Sequence, residues 1–147
     1  KRKDWIEALL NRGLASWKAG DLTAAADHLH RVLGLQPGNT DAMRYLSAVL
    51  IDQNEPGQAL DWRRKLAAAG DPAPELSYNL GLLLQTAGDY TAAAECYQSV
   101  VESQPEYSQA LLNLGNVLKA AGRSEEAKHA WSKAVAADPE LAANYFQ

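Results

Sequence analysis

Apolar residues recur along this chain at helical spacing, in stripes separated by short polar breaks. In one stretch, the leucines at 76, 80, 83 and 84 are three or four residues apart, which places them on one helical face. Gly88 and Asp89 interrupt the stripe, because glycine relaxes the backbone and aspartate can cap a new helix. A second stripe runs from Ala93 to Val101, and Pro105 ends it because proline cannot donate the next helical hydrogen bond. No stretch alternates with a period of two, so the pattern predicts helices and no strands.

The whole pattern returns after 34 residues. A small residue in the middle of the first stripe recurs at Gly13, Ser47, Gly81 and Gly115. The residue at the break recurs at Gly20, Asn54, Gly88 and Gly122. An alanine in the second stripe recurs at Ala25, Ala59, Ala93 and Ala127. Three series with one period indicate a repeat protein built from helix pairs. Small residues at these places predict a close crossing of the two helices in each pair.

The repeating unit resembles the tetratricopeptide repeat. The third unit carries the motif fully, with Asn79-Leu80-Gly81, Gly88-Asp89-Tyr90, Ala93, Tyr97 and Pro105. The resemblance makes 1–147 a single domain with repeats at about 6–39, 40–73, 74–107 and 108–141, and residues 142–147 starting a further or capping helix. It implies an all-α fold: a right-handed superhelix (α-solenoid) of stacked antiparallel helix pairs. The first helices of the pairs would line a concave groove that binds peptides or partner proteins.

The second unit departs furthest from the family pattern. Ser47 replaces the small glycine, Asn54-Glu55-Pro56 replaces the usual turn, and Arg63 stands where an aromatic residue is expected. We expect either that Arg63 extends its charged end out of the core, or that Trp62 turns inward to take the aromatic position. The second unit is therefore expected to be the least stable of the four.

The groove-facing positions of the first helices are the candidate binding site. Partner-binding residues are predicted at Leu10, Leu14, Trp17, Arg44, Ile51, Tyr78, Leu82, Gln85, Leu112, Asn116 and Lys119, with Ala48 between them. At least half are apolar, and an exposed apolar patch of that extent marks an interaction site. The alternative is that some of these side chains pack between adjacent first helices or are covered by another segment.

The composition and charge of the chain argue against several classes of partner and site. The net charge is −4, with charges mixed along the chain, which argues against nucleic acid as a partner. His28 and His30 are two residues apart and point to different sides of a helix, so we expect surface histidines, as at His129, and no metal site. Cys96 is the only cysteine. No phosphate-binding loop or nucleophile motif is present, so no cofactor and no enzymatic activity are predicted. No apolar run is long enough for a membrane span.

The function predicted from the resemblance is a protein–protein interaction scaffold. The alternative is a regulatory or targeting domain of a larger enzyme, such as a transferase. Self-association through the terminal repeats is a third hypothesis. The single cysteine favours the cytoplasm, with the periplasm as the alternative. Because the chain opens with Lys1 rather than Met, we expect a piece of a longer protein, and its Tyr-Phe-Gln ending also resembles a tag remnant.

Overall fold

The computed structural model describes residues 1–140 and 143, and these residues form helices and no strands. The helices are α1 (Arg2–Lys18), α2 (Leu22–Leu35), α3 (Thr40–Asp52), α4 (Pro56–Ala68), α5 (Pro74–Thr86), α6 (Tyr90–Ser103), α7 (Ser108–Ala120) and α8 (Ser124–Ala137). The predicted all-α class is confirmed. Residues 139, 140 and 143 are also helical; the rest of the further helix predicted over 142–147 lies outside the described residues.

The turns inside the helix pairs follow from one residue with a left-handed backbone. Gly88 has φ 83°, a conformation that costs glycine nothing. Asn54 takes the same place in the second repeat (residues 40–73). Its φ is 58°, a value that asparagine tolerates better than most residues. Asp89 then caps α6, because its carboxylate accepts the Ala92 backbone N–H at 3.2 Å. The chain can therefore reverse within a few residues.

The chain divides into two compact units, Lys1–Leu76 and Ser77–Gln147. In unit 1, α1 packs on α2 and α3 on α4, and α2 also contacts α3. Its core contains the fully buried residues Leu29, Val32, Leu46, Val49 and Leu66. In unit 2, α7 packs against α6 and α8. The core there contains Leu80, Tyr97, Val100, Leu111 and Val117.

Arg63 adopts neither of the two predicted arrangements. Its side chain is almost entirely buried, with 6% of the residue exposed, so the charged end does not extend into water. Trp62 stays half-buried beside α2, where its ring meets that of His30 edge-on at 6.0 Å. The Ser47 hydroxyl is satisfied locally, because it donates to the Met43 carbonyl at 2.7 Å. The second helix pair is thus built around a buried guanidinium instead of an aromatic ring.

Candidate functional site

The first helices of unit 1 keep a face of half-buried side chains. We call it the unit 1 face; it consists of Leu10, Leu14, Trp17, Arg44, Ala48 and Ile51. These positions recur at three- and four-residue spacing along α1 and α3, which turns them to the same side of each helix. Their side chains are all partly accessible. Apolar surface of this kind remains available to a partner.

Trp17 joins α1 to α3 on this face. Its ring lies 6.5 Å from that of Tyr45, centroid to centroid, at an angle of 53°. Its indole N–H donates to the Asp52 carboxylate at 2.7 Å. The indole is therefore fixed in orientation by a residue that lies 35 positions away in the sequence. Neither Tyr45 nor Asp52 was among the predicted site residues.

Arg44 is engaged within the chain. Its guanidinium donates to Asp71 at 3.2 Å and to Asp41 at 3.0 Å, and lies 5.8 Å from the centre of the Tyr45 ring. Burial alone would lower the pKa of Arg44, but the hydrogen bonds with Asp71 and Asp41 outweigh it and the pKa is raised. Arg44 thus links α3 to the loop after α4.

The corresponding unit 2 face consists of Tyr78, Leu82, Gln85, Asn116 and Lys119, which are half-buried or exposed. Leu82 is 40% exposed, so a large part of its apolar surface is open to solvent. Tyr78 lies between two other tyrosines, with ring centroids 5.8 Å from Tyr97 and 5.3 Å from Tyr107. The pKa of Tyr78 is raised by burial first and then by Tyr107, while the hydrogen bond from Asn113 offsets part of the effect. Tyr78 therefore packs against aromatic rings on both sides.

The buried Tyr97 and the half-buried Trp131 hold amide side chains of the unit 2 face. The Tyr97 hydroxyl donates to Gln85 Oε1 at 2.7 Å. The Trp131 indole N–H donates to Asn116 Oδ1 at 3.2 Å, and Lys119 Nζ lies 5.9 Å from the Trp131 ring centre. Because an indole nitrogen can only donate, the Asn116 carbonyl oxygen must point towards α8. The orientations of these amides are therefore set from the core.

Leu112 does not belong to the accessible surface. Only 1% of the residue is exposed, and it forms a core cluster with Leu111 and Ala134. Val101 and Trp131 pack against this cluster. Its position on the helix was predicted to face a partner, but the neighbouring helices cover it. Leu112 therefore stabilises unit 2 and offers no contact surface.

A cavity of about 350 Å³ lies on the other side of unit 2, where α6 and α8 flank α7. Leu111, Leu114 and Leu118 of α7 form its floor, and His129 and Lys133 lie on its rim. The sequence did not indicate this cavity, because the leucines that form its floor have the same helical spacing as leucines packed in a core.

The histidines do not form a metal site in the described part of the chain, where no group of three or more His, Cys, Asp or Glu could hold an ion. His30 and His129 are exposed, as expected for surface residues. His28 is half-buried instead, and its Nδ1 is buried without a hydrogen-bond partner. Nor does any helix among the described residues have both the length and the apolar character needed to cross a membrane.

Comparison with known proteins identifies the family. Two family models, each described as tetratricopeptide repeat, match residues 16–77 and 78–142. Together they cover most of the chain. The chain belongs to the tetratricopeptide repeat family, which confirms the resemblance found in the sequence.

Two curated relatives show how this chain relates to longer proteins. It is 28% identical over 109 residues to the Photosystem I assembly protein Ycf3 of Acaryochloris marina, covering 71% of this chain and 66% of that protein. It is 30% identical over 70 residues to Tetratricopeptide repeat protein 8 of Caenorhabditis elegans, covering 48% of this chain. That match spans only 14% of the nematode protein.

Solved structures of the protein MamA share the fold. One superimposes with a TM-score of 0.75 at 23% identity and covers 93% of this chain and 75% of MamA. Another gives a TM-score of 0.76 at 22% identity and covers 88% of this chain and 70% of MamA. At this identity the similarity establishes the arrangement of helices. The helix-pair fold is therefore supported by both sequence families and solved structures.

Proposed function

We propose that this chain is a protein-binding adaptor, without catalytic activity of its own, that holds a polypeptide segment against its first-helix faces. The observation that carries the proposal is the apolar surface left on those faces, above all Leu82 at 40% exposure and the half-buried Trp17. Membership of the tetratricopeptide repeat family supports the same role, as does similarity to a protein named for photosystem I assembly.

The physical basis is the burial of apolar and aromatic area. Burying one large apolar side chain fully contributes roughly 1.5–3 kcal/mol, and aromatic anchors dominate binding hot spots because they order few rotatable bonds. After the costs of ordering, three or four such anchors correspond to about micromolar affinity. This strength suits a reversible adaptor.

The expected partner is a polypeptide rather than a nucleic acid. A net charge of −4 repels phosphate backbones, which proteins bind through clustered lysines and arginines. An apolar or amphipathic peptide, by contrast, gains from contact with Leu14 and Ile51 on the unit 1 face, or with Leu82 on the unit 2 face. Self-association through the terminal repeats is a competing proposal.

The test is a selection of random peptides displayed on phage, followed by titration of synthetic copies of the selected peptides. We expect peptides that bind the parent at about micromolar dissociation constants and that shift backbone NMR signals of α1, α3 or α5. Sedimentation of the chain alone, over the same concentrations, separates peptide binding from self-association. Selected peptides whose contacts map to α2, α4, α6 or α8 would contradict the proposed site.

A further inference from the structure

The carboxyl ends of α1 and α3 bring together an aromatic ring and a carboxylate. The Trp17 indole N–H donates to Asp52 Oδ2 at 2.7 Å, while the Tyr45 ring lies beside the indole at 6.5 Å. Trp17 is half-buried and Asp52 is exposed. The hydrogen bond uses one lone pair of one carboxylate oxygen, so Asp52 retains most of its capacity to accept hydrogen bonds.

Asp52 stands where folding alone disfavours a negative charge. It is the last residue of α3, and the carbonyl end of a helix carries partial negative charge. The repeat-equivalent residues of the other first helices are Lys18, Thr86 and Ala120, none of which is acidic. Asp52 does contribute to folding, because its carboxylate accepts the Trp17 N–H and links α1 to α3. That hydrogen bond does not require a negative charge, since an asparagine oxygen would accept it as well. The charge itself is therefore a candidate for function.

The charge of Asp52 is not neutralised inside the described part of the chain. The Trp17 indole is its recorded hydrogen-bond donor there, and no cationic side chain of those residues forms an ion pair with it. Arg44, on the same helix, is already shared between Asp41 and Asp71. Lys18 is exposed and does not pair with Asp52.

The charged side chains around the Trp17–Asp52 pair are also negative on balance. By helical spacing, Lys3 and Glu7 share the α1 face of Leu10 and Trp17, Lys18 follows Trp17, and Asp41, Arg44 and Asp52 lie on α3, with Asp71 bound to Arg44. Carboxylates outnumber cations, and the Arg44 charge is locally compensated. A cationic group on a partner would therefore be attracted to the Trp17–Asp52 end of the face.

We propose that Trp17 and Asp52 form a subsite for an arginine side chain of the bound polypeptide. A guanidinium can stack its plane on the indole and donate hydrogen bonds to the carboxylate at its edge. The Trp17–Asp52 hydrogen bond holds the two groups in the geometry that this double contact requires. A lysine ammonium is a point charge and uses the two contacts less well. The proposal rests on the proposed function and specifies the partner as apolar with a basic residue.

The experiment measures binding of a small probe rather than an unknown partner. Acetyl-arginine-N-methylamide is titrated into the ¹⁵N-labelled chain at constant ionic strength, with the citrulline analogue as the uncharged isostere. The indole N–H signals of the four tryptophans are assigned by Trp→Phe substitutions. We expect the Trp17 indole signal to shift in proportion to the concentration of the arginine probe, and about tenfold less with citrulline at the same concentration, because a single exposed cation–π contact and ion pair give weak binding. The other three indoles report any general effect of the probe.

Asp52→Asn is the decisive variant. Asparagine keeps an oxygen that can accept the Trp17 N–H but carries no charge, so the indole stays in place while the cation loses its partner. We expect arginine binding to weaken to within about twofold of citrulline. The control is Asp27→Asn, which removes the same charge from an exposed position on α2 and should leave the probe's affinity unchanged.

Equal affinity for the two probes, or an unchanged arginine affinity in Asp52→Asn, overturns the subsite. This outcome leaves the adaptor function standing if peptides are still selected and map to the first helices. Conversely, arginine binding at Trp17 without any selected peptide would retain the cation subsite and contradict the adaptor function.

Discussion

Gly81 on α5 lies directly under the ring of Tyr97 on α6. A Cβ added at Gly81 would stand 2.7 Å from Tyr97 Cε1, so no side chain fits there without movement. The same relationship recurs between Gly115 and Trp131, and in a looser form between Gly13 and Leu29. In the second repeat (residues 40–73), Ser47 takes the place of the glycine and Arg63 takes the place of the bulky residue. The glycine of the repeat is thus required by the bulk of the residue it faces.

Gly81→Ala should destabilise the chain. Tyr97 is fully buried and its hydroxyl is held by Gln85, so the ring cannot yield and the methyl group overpacks the crossing. We expect a loss of about 1–3 kcal/mol in the free energy of unfolding, measured by urea titration. The matched control is Gly34→Ala in α2, where the added methyl meets nothing within 4 Å. That change should raise stability by about 0.5–1 kcal/mol, because alanine is the better helix former.

Ala93→Leu tests the second side of the same crossing. Ala93 is fully buried, and three additional carbons there should cost about 1–3 kcal/mol. His129→Ala, at an exposed position of α8, should change the free energy of unfolding by less than about 0.5 kcal/mol. Urea unfolding that ranks the two substitutions in the opposite order would show that the helical register is wrong.

Leu82→Ser should weaken binding of a selected peptide without unfolding the chain. Leu82 is 40% exposed, so its loss removes contact area rather than core. We expect an affinity loss of about 1–2 kcal/mol, or roughly 5- to 30-fold, by calorimetric titration. Val135→Ser on α8 is the control, since Val135 is 42% exposed and lies off the unit 2 face. Equal losses in the two variants would argue for a nonspecific apolar effect.

Tyr97 should make the chain sensitive to alkaline pH. Burial, followed by the neighbouring Tyr78 and Cys96, raises the pKa of Tyr97 well above its usual range, while a hydrogen bond with Asn113 opposes the shift. Above pH about 10, the unfolded chain releases a phenolic proton that the folded chain retains. Stability is therefore unaffected by this group below that pH and falls as the pH rises beyond it.

The measurement is urea unfolding at pH values between about 9 and about 11. Tyr97→Phe should lower stability at neutral pH by about 1 kcal/mol, because the hydrogen bond to Gln85 is lost. It should also flatten the alkaline decline. Tyr90→Phe, at an exposed tyrosine, should keep the decline of the parent. A decline that persists unchanged in Tyr97→Phe would assign it to another group.

Part of the site was predictable because helical spacing alone decides it. Leu10, Leu14 and Trp17 lie on one side of α1, and Tyr78, Leu82 and Gln85 on one side of α5, as their three- and four-residue intervals require. Leu112 follows the same interval but is buried. Whether a side chain is buried depends on which helices pack beside it, and the spacing within its own helix does not determine that. The spacing therefore predicts the side of the helix on which a side chain lies, but it does not predict how exposed that side chain is.

The sequence by itself determined the repeat, the helices and the turns between them. These features depend on local chemistry: a 34-residue period of apolar stripes, glycine or asparagine with positive φ at the turns inside the helix pairs, and aspartate or asparagine at the starts of α2, α3 and α6. Only the tertiary structure decided that Arg63 is buried, that Arg44 is held by Asp71, and that Trp17 donates to Asp52. The last pair is 35 residues apart. Contacts between side chains of different helices depend on how those helices pack, and no local pattern in the chain encodes them.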